Sequence, residues 1–226
     1  MAKGRFTQAE LAAFRGVHVD HAVPPGTTLL LVGINPSLWT AAVGAPFARP
    51  GNRFWPALHR AGLTRAQMDV SAGISEADAA ELAAVGVGIS NLVPEASARA
   101  DELTSAQIAG ARQRLADLVR RHRPNVVAVL GITAYRQAFG VRKLETGRQP
   151  ERFEGAELWV LPNPSGLNAH DTIETLAAAY RQAAQAAGLA LHPVPLIDRN
   201  AGPPVAAAGE TLSSGERHDT KEDSAR

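Results

Sequence analysis

No cysteine occurs among the 226 residues. That excludes disulfides, a thiolate zinc site, a cysteine-held iron–sulfur cluster and a cysteine nucleophile. No apolar run approaches the roughly 18 residues that cross a bilayer, and the opening MAKGRFTQAE lacks the apolar stretch of a secretory signal. No membrane partner is therefore expected, and a cytoplasmic location is. An excess of charge of one sign is missing too, because 23 Lys and Arg face 22 Asp and Glu for a net +1. A protein that holds nucleic acid through one broad basic face is thus excluded, and any such contact must be local. The balance is uneven along the chain: residues 191–226 hold four bases and six acids, so the first 190 carry 19 and 16. The seven histidines are scattered without carboxylates at ligand spacing, so neither a metal nor another cofactor is expected.

What is present is the pattern of one α/β domain. Thr28–Val32 (TLLLV) is a continuous apolar run, the mark of a strand buried on both faces of a parallel sheet. Similar runs occupy Val87–Val93, Val126–Leu130 and Leu158–Leu161. Between and around them lie helical stretches at Thr7–Arg15, Asn52–Ala61, Ser75–Ala84, Thr104–His122, Ile132–Phe139 and Asp171–Ala187. Thr104 with Gln107, and Asp171 with Glu174, read as helix starts, each a capping oxygen followed three residues later by an acid or amide. Alternation of this kind predicts a three-layer α/β/α sandwich with a mostly parallel sheet of four to five strands, spanning residues 1–192. From 193 to 226 the composition turns to Pro, Gly, Ala, Ser and mixed charge, which predicts a disordered tail.

In a doubly wound sheet, chemistry gathers in the loops beyond the carboxyl ends of the strands. Two such loops stand out, both stiffened by Gly and Pro: Gly33–Leu38 with its continuation to Trp55, and Leu161–Asn168. Neither carries a phosphate-cradling glycine pattern or a Gly-x-Ser-x-Gly elbow, which removes nucleotide-cofactor enzymes and serine hydrolases. Three segments remain: GINP (33–36), PFARPGNRFW (46–55) and LPNPSGLN (161–168). In this order and spacing they resemble the signature segments of the mismatch-specific uracil-DNA glycosylase and thymine-DNA glycosylase family, a likeness that extends from about Thr28 to Tyr180.

The resemblance implies a monomeric DNA-repair enzyme that takes mispaired uracil, thymine or damaged cytosine out of double-stranded DNA and hydrolyses its N-glycosidic bond. By similarity, Asn35 positions the attacking water. Gly33, Ile34, Pro36, Ser37, Phe47 and Asn91 form the base pocket, with Phe47 stacking on the base and Asn91 reading its edge. Asn163, Pro164, Ser165, Gly166, Leu167, Asn168 and His170 form the loop that wedges the duplex and contacts DNA. The plainer readings stand beside these. Asn-Pro commonly means a turn in which Asn satisfies its own backbone, Asn91 can simply close a strand, and Leu167 can pack inward. Phe54 and Trp55 read as core. Arg142, Lys143, Arg148 and Arg152 read as a basic loop cluster, and Arg49 and Arg53 flank the pocket loop; each set is either a solvated face or a phosphate track. Ser37 replaces a glycine of the family pattern, which brings a side chain toward the base, and Ala169 stands where some members place an arginine. The alternative function is a catalytically idle module that binds damaged DNA on the same fold.

Overall fold

The computed structural model describes residues 6–20 and 22–193. Its centre is a five-stranded sheet in the order β2-β1-β3-β5-β4, formed by β1 (Leu29–Gly33), β2 (Val87–Asn91), β3 (Val126–Leu130), β4 (Gly147–Phe153) and β5 (Ala156–Leu161). All pairings are parallel except that of β4 with β5 at one edge. The apolar runs have the cause expected of them: period-two alternation sends successive residues to opposite faces, and both faces are covered. Leu29, Leu31, Ala128, Leu130 and Leu161 pack with Phe54, Leu58, Leu176 and Tyr180, which come from α3 (Phe54–Arg60) and α7 (Ile173–Ala186). Leu30, Val32, Val127, Val129 and Val160 pack with Leu115, Val119 and Tyr135 of α5 (Ser105–His122) and α6 (Ile132–Phe139). The helix α4 (Glu76–Val85) adds Leu82 to the first face. The result is the three-layer α/β/α sandwich with a mostly parallel sheet.

The differences from the expected elements have local causes. The segment holding Arg148 and Arg152 is no loop: it is the edge strand β4, GRQPERF. Such a strand is half exposed, carries Pro150 and a register irregularity between Arg148 and Arg152, and so shows neither an apolar run nor an alternation. A six-residue helix, α2 (Leu38–Val43), follows β1, with Ser37 as its N-cap and Gly44 in the left-handed conformation at its end. The first helix, α1, is only Gln8–Ala12, capped by Thr7 and Glu10. Thr104 and Gln107 do form a capping box on α5, but α7 is capped by Thr172 with Thr175 rather than by Asp171 with Glu174. Asp171 instead accepts from the Asn168 amide at 2.7 Å. Among the described residues no helix is long and apolar enough to cross a membrane. The tail expected over 193–226 lies outside the described residues but for Pro193.

Candidate active site

Because β1, β2, β3 and β5 are parallel and in register, Gly33 beside Asn91 and Leu130 beside Leu161, their exit loops emerge at one edge of the sheet. Gly33 is required there by close approach. A Cβ on it would lie 2.7 Å from the Asn91 Oδ1 and 3.0 Å from the Phe47 Cζ, so the amide and the ring meet over bare backbone. Phe47 adopts a φ of 56°, a conformation bulky residues avoid, and its surroundings hold it there. One ring face stacks on Phe54 with centroids 4.0 Å apart and planes 14° from parallel, while the Trp55 indole N–H anchors the preceding residue through the Pro46 carbonyl at 2.9 Å. Phe54 and Trp55 are themselves buried core residues.

Two residues beyond Gly33, the Asn35 amide nitrogen donates to the Pro36 carbonyl (2.9 Å), the Ser97 Oγ (2.8 Å) and, more distantly, the Glu95 carbonyl (3.4 Å). Its orientation follows from the partners. Carbonyls only accept, and the Ser97 hydroxyl gives its hydrogen to the Arg99 carbonyl at 2.6 Å, so it too accepts from Asn35. Nitrogen must face this trio, and Oδ1 is turned away from it, without a protein partner among the described residues. Ser97, buried in the stretch after β2, had no sequence signal to single it out: the strand had already ended, and EASAR matches no chemical motif.

Ser37 does not project into the pocket. Its Oγ accepts from the Thr40 N–H and hydrogen-bonds the Thr40 hydroxyl, both at 3.1 Å, as the cap of α2. With a φ of −73° its backbone has no need of glycine, which is why serine is tolerated there. Pro36 is buried, and its carbonyl also accepts from the Ser97 N–H. Ile34 is half buried and approaches the third exit loop, where a Cβ on Gly131 would sit 3.7 Å from the Ile34 Cδ1 and 3.8 Å from Asn163.

The loop after β5 is braced from within. Asn163 Oδ1 accepts from the Ser165 N–H (3.0 Å), Ser165 Oγ from the Leu167 N–H (3.3 Å), and Asn168 Oδ1 from the His170 N–H (3.0 Å). The Asn168 amide donates back to the Asn163 carbonyl at 3.0 Å. These bonds leave Leu167 outside the core: it is 77% exposed, against 41% for Val17, the other large apolar side chain exposed among the described residues. Pro164 is buried, and Gly166 and His170 are exposed. Gly166 rests on the pocket loop so closely that a Cβ on it would fall 2.5 Å from the Gly51 carbonyl oxygen.

Arg53 departs from both readings given to it. Its guanidinium neither faces solvent nor points outward to an anion: Nη2 donates to the Ser165 and Asn168 carbonyls, each at 2.6 Å, and Nη1 to the Asp171 carbonyl. Nothing in the sequence separates it from Arg49, which is exposed and shows no such bonds. Beneath it lies Tyr180, whose buried hydroxyl has no partner among the described residues. Burial pushes this phenol above its ordinary range, Asp171 adds to the rise and Arg53 opposes it.

Two open concavities lie elsewhere. One of about 660 Å³ sits by the amino ends of β3 and β5, lined by Arg120, Arg123, Asn125 and Glu157. The other, of about 600 Å³, lies by β4 and α6, lined by Arg112, Tyr135, Phe139 and Phe153. Neither contains Asn35, Phe47, Asn91 or Leu167. Among the described residues, no group of three His, Asp or Glu is arranged to hold a metal.

A solution NMR structure of a Methanosarcina acetivorans protein, named as a candidate uracil DNA glycosylase, aligns with 18% identity over 74% of this chain and 96% of its own, at a TM-score of 0.48. The profile of the Uracil DNA glycosylase superfamily matches residues 21–185. With most of its length matched in this way, and with the strand-exit loops falling inside that match, the chain belongs to the uracil DNA glycosylase superfamily.

Proposed function

We propose that the protein is a monofunctional DNA glycosylase that rotates a mispaired uracil out of double-stranded DNA and hydrolyses the bond joining it to deoxyribose, leaving an abasic site. The observation that carries this reading is Asn35: a side-chain amide locked by three acceptors so that its oxygen is turned away from them, two residues beyond Gly33, over which the ring of Phe47 and the amide of Asn91 meet.

A base within a duplex is out of a hydrolase's reach, and rotating it out costs a few kcal/mol, least for a mispair. Stacking on the ring of Phe47 offsets roughly 1–3 kcal/mol of that. The Asn91 amide can both donate and accept, which suits the alternating edge of uracil. When C1′–N1 breaks, the bonding pair leaves with the base and the sugar becomes electron-poor. A carboxamide is no base at neutral pH, so Asn35 serves by holding a water through its Oδ1, and cleavage runs ahead of attack. Backbone N–H groups near Ile34 and Ser37 are the donors offered to the departing oxyanion. The 163–168 loop, with Leu167 at its tip, enters the duplex where the base left, and parts the neighbouring step. G·U and related mispairs are the substrates this favours.

Uracil release from duplexes containing G·U, A·U or G·T, and from single-stranded uracil DNA, followed by alkaline cleavage of abasic sites, tests the reading. The expected result is cleavage strongest at G·U and abolished by Asn35→Ala. A wild-type protein that cuts none of the four, and still binds mispaired duplex as well as Asn35→Ala does, is the idle damage-binding module instead.

A further inference from the structure

Leu167 has no packing of its own to hold it, since most of its surface faces solvent. Its position must come from the loop's backbone, and the hydrogen bonds within the loop do not fix the loop to the rest of the molecule. Arg53 does. Its backbone N–H donates to the Pro164 carbonyl at 2.9 Å, and its guanidinium reaches the carbonyls of Ser165, Asn168 and Asp171. One residue therefore holds four carbonyls, two on each side of Leu167. Bonds from a charged donor to carbonyl oxygens are stronger than neutral ones, and a planar fork reaches several acceptors that a lysine ammonium cannot match at once. The Nε–H is buried, without a partner among the described residues, so little of the side chain is left for a phosphate.

The same residue ties that loop to the pocket. Arg53 is followed directly by Phe54, the ring on which Phe47 stacks, and Gly166 is pressed against Gly51 of the same loop. The adjacent pair Arg53 and Phe54 thus sets where the wedge stands relative to where the base lies. We propose that Arg53 is a positioning residue, acting through Leu167, that registers the wedge loop against the base-stacking loop. The proposal rests on the wedge reading given above and adds the residue that makes it work.

Amide hydrogen exchange and single-turnover uracil release from a G·U duplex, both on the full chain, test it. Arg53→Lys should speed exchange selectively over residues 164–171 and lower the release rate about 10-fold, since misplacement by an ångström is costly to a preorganised site. Gly166→Ala, on the exposed side of the same contact, should show the same paired signature without disturbing any buried charge. In a double-mutant cycle, Arg53→Lys with Leu167→Ala should be no slower than the slower single variant, because both remove one device. Losses that multiply, or a Leu167→Ala as active as wild type beside a slow Arg53→Lys, would assign Arg53 a purely structural part and overturn the proposal. So would unchanged exchange over 164–171 in both Arg53→Lys and Gly166→Ala. A wild-type protein that releases no uracil removes the glycosylase reading, and with it a wedge for Arg53 to position, while the exchange data still decide separately whether the loop is clamped.

Discussion

The tripeptide Asn-Pro-Ser occurs twice at the same edge of the sheet, at 35–37 and at 163–165, and the two copies do opposite things. In the second, Asn163 accepts from the N–H two residues on and Ser165 accepts from the Leu167 N–H, so both side chains serve their own turn. In the first, Asn35 looks across to Ser97 with its nitrogen and leaves its oxygen without a protein partner among the described residues, while Ser37 caps a helix. A local Asn-Pro turn is the ordinary use of these residues. What reverses it at Asn35 is an acceptor-rich strip, Glu95 to Ser97, that the sheet brings alongside. The difference teaches that a side chain becomes available for chemistry when another element joins in fixing its orientation, and that its neighbours in sequence do not decide this alone.

The largest expected effect tests that contrast directly. Asn35→Ala should lower single-turnover uracil release by about 100-fold or more, whereas Asn163→Ala should cost no more than about 10-fold and instead lower stability by about 1 kcal/mol, measured by chemical denaturation. Equal losses of rate at the two positions would erase the distinction. Next, Ser97→Ala should slow release about 10-fold, in the range seen when a group that orients a reactive side chain is lost. Ser97→Thr, which keeps the hydroxyl, should restore most of it; a Ser97→Ala enzyme as fast as wild type means that the carbonyls alone orient Asn35.

Isosteric aspartates sharpen the comparison further. Asp at 35 would set a carboxylate against two carbonyls, and Asn35→Asp should lose about 2 kcal/mol in denaturant unfolding. Asn163→Asp should lie within about 0.5 kcal/mol of wild type, because a carboxylate oxygen accepts from the Ser165 N–H as well as an amide oxygen does. The smallest effect on the fold belongs to the exposed tip. Leu167→Ala should leave the melting temperature unmoved while release from G·U duplex falls about 10-fold, apolar wedges being a means of parting base steps. A lowered melting temperature there would show that the leucine packs inward.

Much of the architecture is legible in the chain. The strands β1 and β3 are visible because burial on both faces demands unbroken apolar runs, and the helix α5 because its start at Thr104 and Gln107 carries a capping signature. The edge strand β4 escapes because half its residues face water and Pro150 interrupts it. The start of α7 is misplaced by one residue because Asp171, a good capping residue, is already engaged by Asn168. Of the candidate site, the residues inside the three motif segments are brought to one edge of the sheet, and Asn91 lies beside Gly33. Ser97 is invisible beforehand, and Arg53 is noticed beside the pocket loop but not for what it does, since a serine after a strand and an arginine in a loop have no local mark of what they will touch.

By itself, then, the amino-acid sequence determined the class of fold, the order of its layers and which loops emerge together, because these follow from hydrophobic period and from the parallel pairing it enforces. Only the tertiary structure decided which way the Asn35 amide turns, that Ser37 caps a helix rather than crowding the pocket, and that Arg53 grips the 163–171 loop. The first and the third depend on hydrogen-bond partners distant in the chain, at a separation of 62 residues for Ser97 and 112 for Ser165, and such pairings exist only once the sheet has closed the distance; the second rests on Thr40, three residues on, in a short helix that no periodic pattern announces.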